Sequence, residues 1–259
     1  HREGEMIYRV AAQGSYNVLF LGQAHFIAPF YSLPMPVRYL PVGFDERRFP
    51  KEALQVKPEC DLVFIGQSGL AEMTFPYKDE CGVYTTETPD LPIPQRYEFS
   101  GHPGFDYAQR GELLYRLSRE FRIRIYNHVW DTPKYCWALR KGVLGFNCSL
   151  LNDISIRILE SSAAGRLMVT DDVPGLSVLM TNTYVPFELR WKCFFPNFNL
   201  DWNLLKQDIK YWLTNNRERE DMAQIAQDHV FSTCTWSHRA QSLLDEIFKD
   251  RFMRNTAFD

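Results

Sequence analysis

The run from Gly142 to Leu176, GVLGFNCSLLNDISIRILESSAAGRLMVTDDVPGL, constrains the fold of this chain more than any other stretch. Val143 to Asn147 is a short apolar segment that reads as a buried strand. Asp153 or Ser155 can cap a following helix. Ile156, Leu159 and Ala163 then recur at helical spacing, and Gly165 stands where a helix would stop. Arg166 to Asp171 reads as the next strand. Strand, helix and strand in this order make a βαβ unit, which predicts a parallel sheet with helices on its faces.

The polar residues of this run carry its chemistry. Arg157 and Glu160 are one turn apart near the start of an otherwise apolar helix, so they share a face. A helix start attracts anions through its free backbone N–H groups and its dipole. An arginine there can clamp a diphosphate in a forked geometry, and a glutamate one turn on can accept from sugar hydroxyls. The competing reading is a plain ion pair between Arg157 and Glu160.

The chain has 259 residues, enough for one large domain or two small ones. Its net charge of −3 weighs against a dedicated nucleic-acid binder. The six cysteines show no C-x-x-C pair and read as free thiols of a reducing, cytoplasmic compartment. The histidines show no metal-ligand spacing, so no metal is expected. No run is long and apolar enough to span a bilayer, and no signal-peptide pattern opens the chain. The chain begins with His rather than Met, and its opening reads as the middle of a protein.

Other stretches extend the α/β pattern. Tyr16 to Gly22 and Val37 to Pro41 read as strands. The polar segment VGFDERRFPKEALQVKPEC resembles a linker between lobes. Asp61 to Gly66 is a strand ending in glycine, where Gln67, Ser68 and Gly69 let backbone approach a ligand. Leu70 to Phe105 is irregular and Pro-rich, as expected of a lid, a partner surface or a plain insertion. Tyr107 to Phe121 carries an apolar helical stripe, Arg122 to Asn127 alternates like a strand, and Tyr135 to Lys141 is a short helix. Beyond the central run, Val173 to Met180 reads as helix, and Val185–Phe187 and Cys193–Phe195 as strands. Leu200 to Thr214, Arg217 to Phe231 and Trp236 to Phe252 read as helices, so the C-terminal third is mostly helical.

Taken in order, VFIGQ, Arg110 in QRGELLYRL, IYNHVW, Tyr135, Phe146-Asn147, SIRILESSAAGRLMVTDDVPGL, NREREDMAQIAQDHV and TWSHRAQSLLDEI resemble a known family. The chain resembles the C-terminal, donor-binding half of a GT-B glycosyltransferase of group 1, nearest the spore-maturation-like branch. YNVLFLGQAHFIAPF and VRYLPVGFDERRF resemble the end of that family's first lobe and the crossing into the second.

The resemblance implies a Rossmann-like parallel sheet with flanking helices. It places a remnant of the N-terminal, acceptor-side lobe at 1–50 and the nucleotide-sugar domain at 51–259, with an insertion at 70–105. It implies a UDP- or GDP-sugar as donor substrate and no tightly bound cofactor. Glu160 matches the glutamate that holds ribose or sugar hydroxyls, and Arg157 the basic residue on the donor phosphates. Gly66 and Gln67 match the glycine turn facing those phosphates, with Ser155 at the helix start. Tyr126 and Asn127 match the loop beside the nucleobase, with Trp130 close by. Asn152 stands near the position of a second family glutamate. Trp236, His238 and Arg239 match the late helix that packs back on the first lobe. His25 is the candidate acceptor base, although a lone histidine is more often structural.

The implied activity is sugar transfer from a nucleotide sugar to an unknown acceptor, with a further lobe or a second subunit completing the acceptor side. Two rivals stand beside it: a non-catalytic nucleotide- or partner-binding module derived from a GT-B enzyme, and a GT-B-like epimerase. The epimerase would need carboxylates on both sides of a cleft, and none can be located in the sequence.

Overall fold

The computed structural model describes residues 9, 18–23, 27, 30, 32–33, 35–50, 56–66, 84–85, 105–126, 132–149, 153–189 and 200–255. Its centre is a six-stranded sheet of β3 (Cys60–Ile65), β4 (Tyr84–Thr85), β5 (Ile123–Tyr126), β6 (Gly142–Asn147), β7 (Met168–Asp171) and β8 (Val185–Phe187). The order across it is β4-β5-β3-β6-β7-β8, and every pairing is parallel except β4 with β5. The region predicted to be irregular, 70–105, therefore contributes an antiparallel edge strand. A parallel pair formed by β1 (Leu19–Leu21) and β2 (Val37–Tyr39) stands apart from this sheet.

The helices are α1 (Phe105–Ser118), α2 (Thr132–Arg140), α3 (Ile156–Ala163), α4 (Leu176–Met180), α5 (Trp202–Thr214), α6 (Asn216–Thr233) and α7 (Trp236–Asn255). They cover both faces of the sheet, as parallel strands require. On one face Leu62 and Phe64 of β3 join Leu144 and Phe146 of β6 and pack on Leu113, Leu114 and Leu117 of α1 and Leu205 and Ile209 of α5. On the other, Val63 and Ile65 pack on Ala138 and Leu139 of α2, Ile158 and Leu159 of α3, Met180 of α4 and Val230 of α6. The alternation along β3 is the period of two that divides a strand between two cores.

Helix α3 forms where the sequence predicted it. Ser155 is its N-cap, in an extended conformation, and its side chain accepts from the Arg157 N–H. The far end closes in a Schellman motif: Gly165 has φ +74°, its N–H donates to Ser162 O, and Arg166 N–H donates to Ser161 O. Gly145 sets how closely this helix lies on the sheet. A Cβ at Gly145 would collide with Ser161 Oγ and lie 3.2 Å from Ser161 Cβ.

Two expectations change. The segment VGFDERRF is more than a linker: Glu46–Arg48 form a 3-10 turn, and Phe44 and Phe49 are fully buried. These rings pack edge-on against each other and against Phe231 and Tyr135. Their spacing among polar residues has no regular period, which is why the sequence concealed them. The helix expected over Val173–Met180 begins only at Leu176, after Gly175 takes a left-handed conformation. The strand expected at Cys193–Phe195 lies outside the described residues.

Replacing Gly145 by Ala overfills the α3–sheet contact, so the expected loss is about 1–3 kcal/mol in denaturant unfolding. Adding Ser161→Gly, which removes the clashing atoms, is expected to recover at least half of that loss.

Candidate functional site

The sheet order puts a switch point between β3 and β6. The chain leaves β3 towards one side, through β5, and towards the other through β6 and β7. In open α/β sheets the crevice beyond the carboxyl ends of such a strand pair is where ligands bind. Gly66 follows β3 at this edge, and Asn147 ends β6.

Arg157 bridges these two strand ends. Its Nε donates to Asn147 Oδ1 at 3.3 Å, and its guanidinium lies over the Phe64 ring, 5.3 Å from the centroid. It also presses against Gly66, where a Cβ would collide with Nη1 and lie 2.9 Å from Cζ. Gly66 has φ +142°, so both its backbone and its surroundings require glycine. Arg110 from α1 lies over the same Phe64 ring at 5.6 Å and donates to Cys148 O at 2.6 Å. Burial pushes the Arg157 guanidinium below its usual value, and the nearby Arg110 charge adds to this.

Behind Arg157 runs a buried polar chain. Asn147 Nδ2 donates to Thr170 Oγ1 at 3.0 Å, and the Thr170 hydroxyl donates to Asp171 at 3.3 Å. Asp171 accepts from the Ser149 N–H at 2.8 Å and from the Ser149 hydroxyl. Burial raises the Asp171 carboxyl above the usual range, and the Ser149 hydrogen bonds pull it back.

Glu160 is 4% exposed and has partners of its own. The Tyr135 hydroxyl donates to its Oε2 at 2.6 Å. Arg48, from the 3-10 turn, stands 3.6 Å from Oε1 and stacks over the Tyr135 ring at 5.2 Å. Arg157 and Glu160 therefore share a helix without pairing to each other, which removes the plain ion-pair reading. Burial raises the Glu160 carboxyl, while the Tyr135 hydrogen bond, Arg48 and Arg157 lower it. Burial and the adjacent Glu160 charge hold the Tyr135 hydroxyl well above its ordinary value, so Tyr135 is a neutral donor.

The structure thus brings together Gly66, Ser155 and Arg157 at one strand edge, with Glu160 one turn further along α3. Tyr126 is buried at the end of β5, and Gly66 N–H donates to Tyr126 O at 2.8 Å. His25, Gln67, Asn127, Trp130 and Asn152 lie outside the described residues. Among the described residues no three His, Cys, Asp or Glu side chains gather into a metal-sized site. No helix among them is long and apolar enough to cross a membrane.

Residues 109–245, over half of the chain, match the family described as glycosyl transferase-like. The chain belongs to this glycosyl transferase-like family. No curated protein matches it in sequence. Among solved structures, it is similar to Anabaena Alr3699/HepE, solved in complex with UDP and glucose. The TM-score is 0.61 at 13% identity, over 96% of this chain and 67% of that one. It is also similar to the sucrose-phosphate synthase of Thermosynechococcus elongatus, with TM-score 0.59 and 13% identity, over 98% of this chain and 62% of that one. A third is WaaG, a glycosyltransferase involved in lipopolysaccharide biosynthesis, with TM-score 0.56 and 15% identity, over 93% of this chain and 66% of that one. The shared fold is the Rossmann-like α/β fold of GT-B glycosyltransferases. The chain spans about two thirds of the length of these proteins, and 62% of the synthase.

In this glycosyl transferase-like chain, the sequence did not assign a role to the partners that hold the site. Gln23, just past β1, clamps the backbone before α3: Ile154 N–H donates to its Oε1 at 2.9 Å, and its Nε2 donates to Ile154 O at 3.3 Å. Arg48 and Tyr135 hold Glu160, and Asp171 anchors the polar chain. All of these act across large sequence separations, where local spacing carries no signal.

Folded Glu160 keeps its proton to higher pH than the unfolded chain does. Its contribution to stability is therefore present below the ordinary carboxylate range and is lost as pH rises through the folded value. Tyr135→Phe removes the hydrogen bond that lowers this value and so enlarges the loss. The variant's deficit in denaturant unfolding is expected to be small in acid and to grow to about 1–3 kcal/mol at neutral pH.

Proposed function

We propose that the chain transfers a sugar from a nucleotide-sugar donor to an acceptor, with the donor diphosphate held at the β3–β6 edge. One observation carries this reading: Arg157 is seated between Gly66 and Asn147, at the start of α3 and at the switch point of the sheet. A nucleoside diphosphate leaves with the electron pair of the broken glycosidic bond, while an acceptor oxygen bonds to the anomeric carbon. Negative charge then builds on the terminal phosphate. Arg157 and the first turn of α3 are preorganised positive groups at that place, the arrangement that contributes most to such catalysis. Asn147 and Phe64 fix the guanidinium, so little ordering is left for the bound state.

Glu160 is the group for donor hydroxyls. Its Oε2 is committed to Tyr135, while Oε1 faces Arg48 at 3.6 Å, longer than a hydrogen bond. Oε1 therefore keeps lone pairs for a ribose or sugar hydroxyl. On the family pattern we assign Tyr126, Asn127 and Trp130 to the base, Gln67 to the phosphates and Asn152 to donor binding at the position of the second glutamate. The solved likenesses with UDP and with UDP-glucose support a uridine nucleotide as the first donor to try. On the acceptor side we assign residues 1–50, with His25 as the base, and the donor domain to 51–259. Gln23, bonded to the backbone before α3, supports contact between the two parts. The TWSHRA box supports the spore-maturation-like branch.

The second reading, a binding module without turnover, draws on a Glu160 carboxylate that already has partners. Calorimetry with UDP, followed by transfer and hydrolysis assays on UDP- and GDP-sugars, separates the two. Arg157→Ala is expected to weaken UDP binding about 10- to 100-fold, the worth of a charge-assisted hydrogen bond. Glu160→Ala is expected to abolish turnover. Binding without turnover, unchanged by Glu160→Ala, would favour the module instead.

A further inference from the structure

At the opposite, amino-terminal edge of the sheet a cavity of about 610 Å³ opens between the segment before β3, the C-terminal ends of α2 and α3, and α6. This volume falls within the range of about 300–1,000 Å³ found for small-molecule sites. Four cations on four separate segments line it: Lys57, Arg140, Arg166 and Arg219. Among the described lining residues Glu220 is the one acid, 3.9 Å from Arg219 and with a side chain 75% exposed.

Helix ends explain part of this gathering. Arg140 Nε donates to Ala164 O at 3.1 Å, Arg166 Nη2 to Arg140 O at 2.9 Å, and Arg219 Nη1 to Trp212 O at 2.8 Å. Carbonyls at helix C-termini are partially negative and favour nearby arginines. They do not neutralise three guanidinium groups. Arg140 is 5% exposed, and its Nη1 has no hydrogen-bond partner among the described residues; the same holds for the buried Nε of Arg166. Buried cations left without a counter-charge are costly. Burial pushes the Arg166 guanidinium down, with the Arg140 and Arg219 charges adding to it.

We propose that this cavity is an anion site, separate from the Arg157 end of the sheet, that takes the phosphoryl group of a small phosphorylated metabolite. Guanidinium forks match phosphate oxygens, and a dianion supplies the negative charge that the described lining residues lack. The site does not depend on the donor reading. Arg140 and Arg166 bond the closing turn of α3, so the ligand would sit at the far end of the helix that carries Arg157 and Glu160.

The test is calorimetric titration of the full chain with inorganic phosphate at fixed ionic strength, balanced with chloride. The chain carries Arg157→Ala, which weakens phosphate binding at the candidate donor site, and the Arg219 and Glu220 substitutions assign what remains, so a failed donor reading leaves the result intact. Saturable binding is expected. Arg219→Gln should weaken it by roughly tenfold or more, the scale of one charge-assisted hydrogen bond. Glu220→Gln should tighten it by about threefold, a modest gain in line with a partly exposed charge, which a misfolded chain cannot produce. Glycerol 3-phosphate in the same titration names the source: tighter binding than inorganic phosphate supports a phosphate ester, and weaker binding overturns the assignment to a phosphorylated metabolite. No saturable phosphate binding, or binding indifferent to both substitutions, overturns the proposal.

Discussion

A guanidinium lies where a side chain cannot. Arg157 rests against the bare α-carbon of Gly66, and from this contact the architecture of the strand edge follows. Gly66 holds a φ of +142°, which turns the chain away as β3 ends. Asn147 receives the arginine on its carbonyl oxygen and passes its amide to Thr170 on the next strand. Three neighbouring parallel strands are thus linked at their carboxyl ends through two side chains, Arg157 and Asn147. The Ser155 cap fixes where α3 begins and so how far Arg157 reaches.

Charge burial shapes the rest of the site. Glu160, Asp171, Arg110 and Arg157 are ionisable groups drawn close to the sheet, and each is held by a hydrogen bond, a ring or an opposite charge. Buried charges without such company would unfold a domain of ordinary stability. The partners come from α1, α2, the turn at Arg48 and the strand ends, so the arrangement is rigid only when the whole α/β unit is assembled. That suits the proposed electrostatic stabilisation of a departing phosphate, which depends on groups that need not move during the reaction.

What the sequence revealed was local. The βαβ run from Gly142 to Leu176 was legible because capping residue, apolar period and terminal glycine all agreed within a few turns. The shared face of Arg157 and Glu160 was legible for the same reason. Their partners were not. Spacing one turn apart allowed a direct pair, but the side chains diverge to Asn147 and to Tyr135. Phe44 and Phe49 looked like linker residues because two aromatics among charges carry no period, yet they fill a core. Arg48 and Gln23 reach the site across about a hundred residues or more, a separation at which only folded coordinates carry information.

The pairing of Phe44 with Thr235 joins the segment before the 3-10 turn to the junction of the last two helices. Backbone bonds run both ways, from Phe44 N–H to Cys234 O and from Trp236 N–H to Phe44 O. During synthesis the aromatic pair Phe44 and Phe49 leaves the ribosome long before α6, whose Phe231 ring meets Phe44. Until then this early patch lacks its cover, and closure over so long a loop is slow. Until Phe231 joins them, the Phe44 and Phe49 rings stay exposed in the nascent chain, an apolar surface of the kind that favours aggregation during folding.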